Sequence, residues 1–423
     1  MTEVTLAVVG GGLRGLTYAR RAHATGAGRV VAVAEPDPRR RAAFAAEFGI
    51  APELAHPGWK ELAAAGRVAD AAVIATHDQL HTDPAVTLAG LGYHILLEKP
   101  MATTEREAAR IADAARRNGI LLAVCHVLRY TPYTRVVREL LDGGRIGRLI
   151  SVQHLEPVGW WHNAHSFVRG HWRRQDTSAP MLLAKACHDI DWLVHLFGRP
   201  PAKVSSFGSL THFRAEDRPP EAADRCLDCP LEPSCPYSAP RLYLGCLGDP
   251  ESEFWPLSAV TPGRTEEDVL AALRTGPYGR CVYACDNDVV DHQEVVMEFD
   301  DGATCSFTMS AFTPMEHRRT RLFGTHGYID GDGTTLRLVD FRTGEEETIH
   351  TSDPDGTAGP SAADGHGGGD EGLTDAFLAA VASGDRTLLR SDAAESLMTH
   401  RVVWAAEQAR LTGSVVTLQP PAS

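Results

Sequence analysis

Lysine is scarce in this chain of 423 residues: it stands at positions 60, 99, 185 and 203, and arginine supplies the rest of the 41 basic residues. Arginine keeps its proton in a protein and lysine can release it, so a lysine retained at a sheet edge suggests an ammonium needed for chemistry. Lys99 lies in Ile95-Leu96-Leu97-Glu98-Lys99-Pro100. Three apolar residues read as the end of a buried strand, and Pro100 cannot donate to a ladder, so the strand stops there. Glu98 and Lys99 then sit at the carboxyl edge of a sheet, where open α/β sheets place their ligands. A solvated strand-end charge is the plain alternative. Lys185, His188 and Asp189 form a second group, on residues 181–196, whose apolar spacing predicts one helix. Three and four residues apart, they share one face, either as a satisfied core network or as a site.

Other elements must position these groups. Residues 4–9 predict a short strand, and Gly10-Gly11-Gly12-Leu13-Arg14-Gly15 follows it directly. This fits GxGxxG: Gly10 permits the turn, Gly12 lets backbone approach a pyrophosphate, Gly15 lets helix and strand pack, and Leu13 and Arg14 open the helix at the dinucleotide. A second strand over 29–34 ends in Glu35, whose carboxylate suits the ribose hydroxyls and repels a 2′-phosphate, favouring NAD over NADP. Arg39, Arg40 and Arg41 argue the other way. A third strand over 71–75 ends at Thr76, with His81 nearby, and both are candidates to line the nicotinamide side; His81 could equally be a helix residue without a role. Strands alternate with helices to about residue 125, so a parallel doubly wound α/β sheet is expected, a Rossmann domain over 1–125.

Residues 126–423 read as a second, substrate-binding α/β domain with an open, mainly antiparallel sheet, since period-two alternation as in Val295, Met297 and Phe299 suits one covered face and one open face. Its C-terminal helix could pack back on the first domain. Candidate substrate ligands are His126 and Arg129, where the chain leaves the first domain, then Trp161, His165 and Arg169 in a polar, aromatic stretch over 156–173. Aromatic faces with interspersed donors suit a pyranose. An ordered loop or a subunit contact would explain that stretch too. Asp189 joins the set, as does His366 in Gly365-His366-Gly367-Gly368-Gly369-Asp370, a glycine loop able to close over a ligand or a plain linker.

Residues from about 213 to 288 break the pattern and hold six of the nine cysteines. Cys226-x-x-Cys229 followed by Cys235 suits a structural zinc, with Cys281 preferred over Cys285 as fourth ligand, because a segment too small for its own core gains most from a metal staple. Buried thiols and an iron–sulfur cluster are the alternatives.

A net charge of −14 argues against nucleic acid or an anionic membrane as partner. No apolar run approaches the roughly 20 residues that span a bilayer. The start lacks a secretory pattern, so a cytoplasmic location is expected.

The glycine fingerprint, Glu98-Lys99-Pro100 and His188-Asp189-Ile190-Asp191, in that order, resemble the Gfo/Idh/MocA family of sugar and cyclitol oxidoreductases. The resemblance runs from about residue 4 to 412. It implies that Lys99 sits beside the nicotinamide, that the bond to Pro100 is cis, and that the protein forms a dimer or tetramer. One departure stands out. The family's usual Asp four residues before the His is Ala184 here, with Lys185 beside it as a possible substitute. On this reading His188 takes a hydroxyl proton while Lys99 holds the alkoxide, in NAD-dependent hydride transfer at a secondary alcohol of a sugar, glycoside or cyclitol. An NAD-dependent glycosidase is the alternative: transient oxidation at C3, elimination, hydration and re-reduction, with an extra base from Lys185 or the histidines near Trp161. A non-catalytic nucleotide-binding regulator is a third reading, which retention of Lys99 and His188 disfavours.

Overall fold

The computed structural model describes residues 3–351 and 365–418. Strands Val4–Val9 (β1), Gly28–Ala34 (β2), Ala55–His56 (β3), Ala71–Ile74 (β4), His94–Leu97 (β5) and Leu122–Val124 (β6) form one parallel sheet in the order β3-β2-β1-β4-β5-β6. Their runs of Val, Ala, Leu and Ile are buried because helices cover both faces. The strand order turns between β1 and β4, which opens a crevice at their carboxyl ends. Lys99 emerges at this edge: the Glu98 amide still bonds Ile74 O at 2.8 Å, and the next peptide, Lys99–Pro100, is cis.

The second sheet is built from Leu149–Pro157 (β7), Lys203–Ser209 (β8), His292–Glu298 (β9), Thr304–Ser310 (β10), Arg319–Gly324 (β11), Gly327–Gly331 (β12), Thr335–Asp340 (β13), Glu346–His350 (β14) and Val416–Thr417 (β15). Its order is β14-β13-β12-β11-β7-β10-β9-β8-β15, with β10 parallel to β7 and the other pairs antiparallel. Val295 and Met297 pack inward with Ile190, Leu193, Val402 and Val403 of helices Cys187–Phe197 and Ala393–Thr412. On the opposite face Phe207 and Val296 are exposed. The helix Ala393–Thr412 also meets the first domain, where the Met101 amide donates to His400 Nε2 at 2.9 Å.

Two local departures from the sequence expectation shape the site. The single helix over 181–196 is in fact two, Met181–Ala184 and Cys187–Phe197, with Lys185 and Ala186 at the break. The glycine loop at 365–370 is a turn with left-handed backbone at His366, Gly367 and Gly368, running straight into the helix that ends at Ser383.

Candidate active site

The dinucleotide turn has the shape its glycines predict. A Cβ on Gly10, at φ +98°, would lie 2.4 Å from Ala75 O, and one on Gly15 would lie 2.1 Å from Gly10 O, whereas one on Gly12 meets no heavy atom within 4 Å. Two glycines are thus forced by close packing and the third faces open space, as backbone approach to a pyrophosphate requires. At the end of β2 the buried Glu35 carboxylate accepts from the Gly11 amide at 2.9 Å and from Arg40 Nη2 at 3.0 Å. These residues fit a dinucleotide. Thr76 is half-buried at the end of β4, whereas His81 is fully buried, with Nδ1 2.8 Å from Pro100 O and Nε2 3.1 Å from Thr76 O. His81 therefore holds together two turns of the cofactor edge and does not itself face the crevice.

Arg14 does more than open a helix. Its guanidinium meets Glu98 Oε1 at 2.5 Å, Tyr18 OH and the buried Asp370, so it ties the glycine turn to the Glu98-Lys99 edge and to the second domain. Burial pushes the Glu98 carboxyl pKa up, but Arg14 and Lys99 outweigh it and hold the group below its ordinary value.

The proton-handling groups converge where the two helices break. Lys99 Nζ donates to the main-chain carbonyl of Ala184 at 2.5 Å. Lys185, at the break between the two helices, binds Glu156, with Nζ 2.9 Å from Oε1. Arg318 then knits the rest together. Its Nη2 lies 2.8 Å from Glu156 Oε2 and 2.8 Å from His188 Nε2, and it also binds Asp189. Asp189 is fully buried and takes a further contact from His154 Nε2 at 3.2 Å. Burial is the main cause that drives the His188 pKa well below its ordinary value, and the Arg318 and Lys99 cations add to it against Asp189. His188 is neutral at physiological pH. Because Arg318 donates to Nε2, the ring carries its proton on Nδ1, which is buried and has no hydrogen-bond partner among the described residues.

Of the candidate substrate ligands, the structure gathers some and disperses others. His366 reaches the site, its ring centroid 5.6 Å from that of His188. Trp161 is half-buried, 5.4 Å from the Trp255 ring, which belongs to the cysteine-bearing segment. Arg129 is buried, paired with both Asp191 oxygens at 2.6 and 2.8 Å and with Glu395 at 2.6 Å. His126 is fully buried behind that pair, 3.8 Å from Asp191, its pKa lowered to about 4 chiefly by burial. Arg169 and His165 turn into the cysteine-bearing segment, Arg169 to Arg280 O and Tyr237 O at 2.8 Å each and His165 Nδ1 to Tyr243 OH at 2.8 Å.

The halves of the chain match two domains of one family: residues 4–126 its NAD-binding Rossmann-fold domain and residues 138–418 its C-terminal α/β domain. The chain belongs to the Gfo/Idh/MocA oxidoreductase family. It is similar to the putative oxidoreductase YteT of Bacillus subtilis, 26% identical over 315 residues, 72% of this chain and 70% of that protein. It is 32% identical over 183 residues to 1,5-anhydro-D-fructose reductase of Ensifer adhaerens, covering 43% of this chain and 52% of that one. In fold it resembles a levoglucosan dehydrogenase solved with NADH and levoglucosan, with a TM-score of 0.71 at 19% identity and 100% of both chains covered.

The structure gives the zinc expectation no support. Among the described residues no group of three or more His, Cys, Asp or Glu is arranged to hold a metal, and all nine cysteines are free thiols. The Arg169 guanidinium lies 3.5 Å from Cys226 Sγ, where it would repel a dication. Nor does the segment lack a core: Tyr243, Leu257, Val269 and Leu273 are fully buried together. Sequence reading of this Gfo/Idh/MocA chain missed Arg318, and it took Glu156 and His162 only as members of the stretch over 156–173. Glu156 and Arg318 come from neighbouring strands, with Arg319 paired to Leu155 in the β11–β7 register, so the only sequence signal was a carboxylate before Pro157 and an arginine before a later strand. The His162 pKa is lowered by burial first and then by Lys185, His165 and Lys99, which places the ring beside the site's cations.

Proposed function

We propose that this protein is an NAD-dependent oxidoreductase acting on a secondary hydroxyl of a sugar, glycoside or cyclitol. The observation that carries the reading is Lys99 bound to Ala184 O at the break before His188, so that an ammonium from the first domain and an imidazole from the second share one spot at the edge of the dinucleotide crevice. A bound nicotinamide supplies the hydride acceptor. The buried, neutral His188 offers a substrate oxygen its Nδ1–H, and a neutral imidazole cannot also surrender that proton without becoming an anion. Lys99 is therefore the proton carrier: as the amine it takes the hydroxyl proton in oxidation, and as the ammonium it returns it in reduction. This exchanges the two roles expected from the sequence. The Lys185–Glu156–Arg318 chain orients His188 and Asp189 and leaves Lys185 less suited to act as a base. Glu35, which already engages Arg40, favours NAD over NADP. The exposed sheet face with Phe207 and Val296 suits contact with another copy of the chain.

The test is a panel of pyranoses, methyl glycosides and inositols with NAD, followed by nicotinamide absorbance. Turnover on at least one compound, reduced about a hundredfold or more in Lys99→Ala, is expected. Equal turnover in wild type and Lys99→Ala would remove Lys99 from the chemistry.

A further inference from the structure

The cysteine-bearing segment touches both halves of the molecule with two consecutive residues. The Phe254 ring lies 5.7 Å from the Arg20 guanidinium, on the first-domain helix Leu13–Thr25 that follows the glycine turn. Trp255 turns the other way, 5.4 Å from the Trp161 ring and edge-on to His162 at 4.9 Å. Its backbone is extended, at φ −153° and ψ 130°, within an otherwise helical run, and extended backbone sends neighbouring side chains to opposite sides. A further anchor is Trp160, whose Nε1 donates to Pro236 O at 3.2 Å. The segment thus closes against the end of β7, and Trp255 is the side chain it delivers there.

His162 belongs to the same strand end as the proton-handling groups. Glu156, which binds Lys185 and Arg318, precedes Val158 by two residues, and Val158 O meets His162 Nδ1 at 3.1 Å. A carbonyl only accepts, so Nδ1 carries the hydrogen. Burial first, then Lys185, His165 and Lys99, push the His162 pKa well below its ordinary value and keep the ring neutral. Nε2 is therefore a bare lone pair, and it makes no hydrogen bond with a described residue. Trp161, His162 and Trp255 are all half-buried, so each keeps surface free for a ligand. A pyranose offers C–H groups on a ring face and hydroxyl hydrogens at its edge, which an indole face beside a fixed acceptor matches. Lys99 binds Ala184 O and His188 stacks with His366, neither with the indoles, so the ring held at Trp255 is not the ring being oxidised.

We propose that Trp255, with Trp161 and His162, forms a subsite for a second sugar ring and so selects glycosides whose aglycone is itself a pyranose. The inference rests on the hydride-transfer reading of the neighbouring site and adds which part of the substrate the cysteine-bearing segment reads. The second ring lies against the indole and gives one hydroxyl hydrogen to His162 Nε2. A phenyl aglycone would stack and leave Nε2 unanswered; a methyl aglycone would do neither.

The experiment compares methyl, phenyl and pyranosyl glycosides of the same sugars with NAD, by nicotinamide absorbance. Wild type is expected to prefer at least one disaccharide over its methyl glycoside by about tenfold in kcat/KM, mainly through KM. Trp255→Ala should erase that preference, and Trp255→Phe, which keeps a ring, should retain most of it. Because a ratio is read, a general loss of folded enzyme does not imitate the result. His162→Leu should lower the ratio of disaccharide to phenyl glycoside by about tenfold; an unchanged ratio overturns the choice of a sugar as aglycone. Turnover without a disaccharide preference in wild type, or a preference untouched in Trp255→Ala, overturns the subsite and leaves hydride transfer intact. Turnover of nothing on the panel overturns the hydride-transfer reading instead. Tryptophan fluorescence then decides the subsite without turnover: a disaccharide should quench it saturably in wild type, with affinity at least about tenfold weaker in Trp255→Ala. Equal affinity, or no quenching in wild type, refutes the subsite.

Discussion

Arg318 carries more of the site than any residue the sequence singled out. It binds Asp189, His188 and Glu156 while only 17% exposed, so removing its charge leaves two buried carboxylates short of a cation. Loss of one partner from a buried pair costs about 3–5 kcal/mol. Arg318→Gln should therefore be destabilised in urea titration by an amount of that order. In the same variant His188 loses a cation that depresses its pKa, so its ring should titrate at higher pH by NMR. At the cofactor end, the Glu35 carboxylate occupies Arg40 and would repel a 2′-phosphate. Glu35→Ala should raise the kcat/KM ratio of NADP to NAD by about tenfold or more, or about 1.4 kcal/mol, and an unchanged ratio would show that Glu35 does not set the preference. The glycine fingerprint, Lys99 and His188 were legible because each depends on neighbours close in sequence. Arg318 and Glu156 were not, since strand register across more than 160 positions brings them together. The pairing of Arg129 and His126 with Asp191 was not legible for the same reason, since Asp191 comes from a distant helix.

The turn before the helix ending at Ser383 sets where His366 sits, and one glycine fixes the turn. A Cβ on Gly369 would lie 2.5 Å from Val127 O, so Gly369→Ala must push the turn off the segment beneath it. Overpacking of this kind costs about 1–3 kcal/mol. Thermal unfolding should drop by several degrees. Periodicity correctly predicted both sheets, yet it joined residues 181–196 into one helix, because the apolar spacing continues through Lys185 and Ala186. The break there answers to tertiary partners, Glu156 for Lys185 and Lys99 for the carbonyl of Ala184, which no local pattern contains.

Across the whole molecule, burial of neutral histidines ties stability to acidity. Burial is the first cause lowering His126 to about 4, His165 to about 3 and His400 to about 3. In the unfolded chain each titrates near 6.5, so below that pH the unfolded state binds protons that the folded state refuses. Their stabilisation is full above pH 6.5 and is lost as pH falls toward 4. At pH 5 each such group costs about 2 kcal/mol, so three approach the entire margin of a typical domain. Urea midpoints measured at pH 7.5 and 5.0 should show a steep fall; equal midpoints would mean that these rings are not neutral in the fold. Among the described residues no helix is long and apolar enough to cross a membrane.

The anchor of Lys99 belongs to the peptide group of residue 184 and not to its side chain. Replacing the methyl of Ala184 leaves that oxygen chemically unchanged, so a scan of single amino-acid exchanges is blind to the contact. Backbone chemistry can reach it: an ester in place of the amide that follows Ala184 would weaken that oxygen as an acceptor with every side chain kept. A grip on the ammonium written into the main chain depends on the path of the backbone at residue 184 and not on the chemistry of the side chain there.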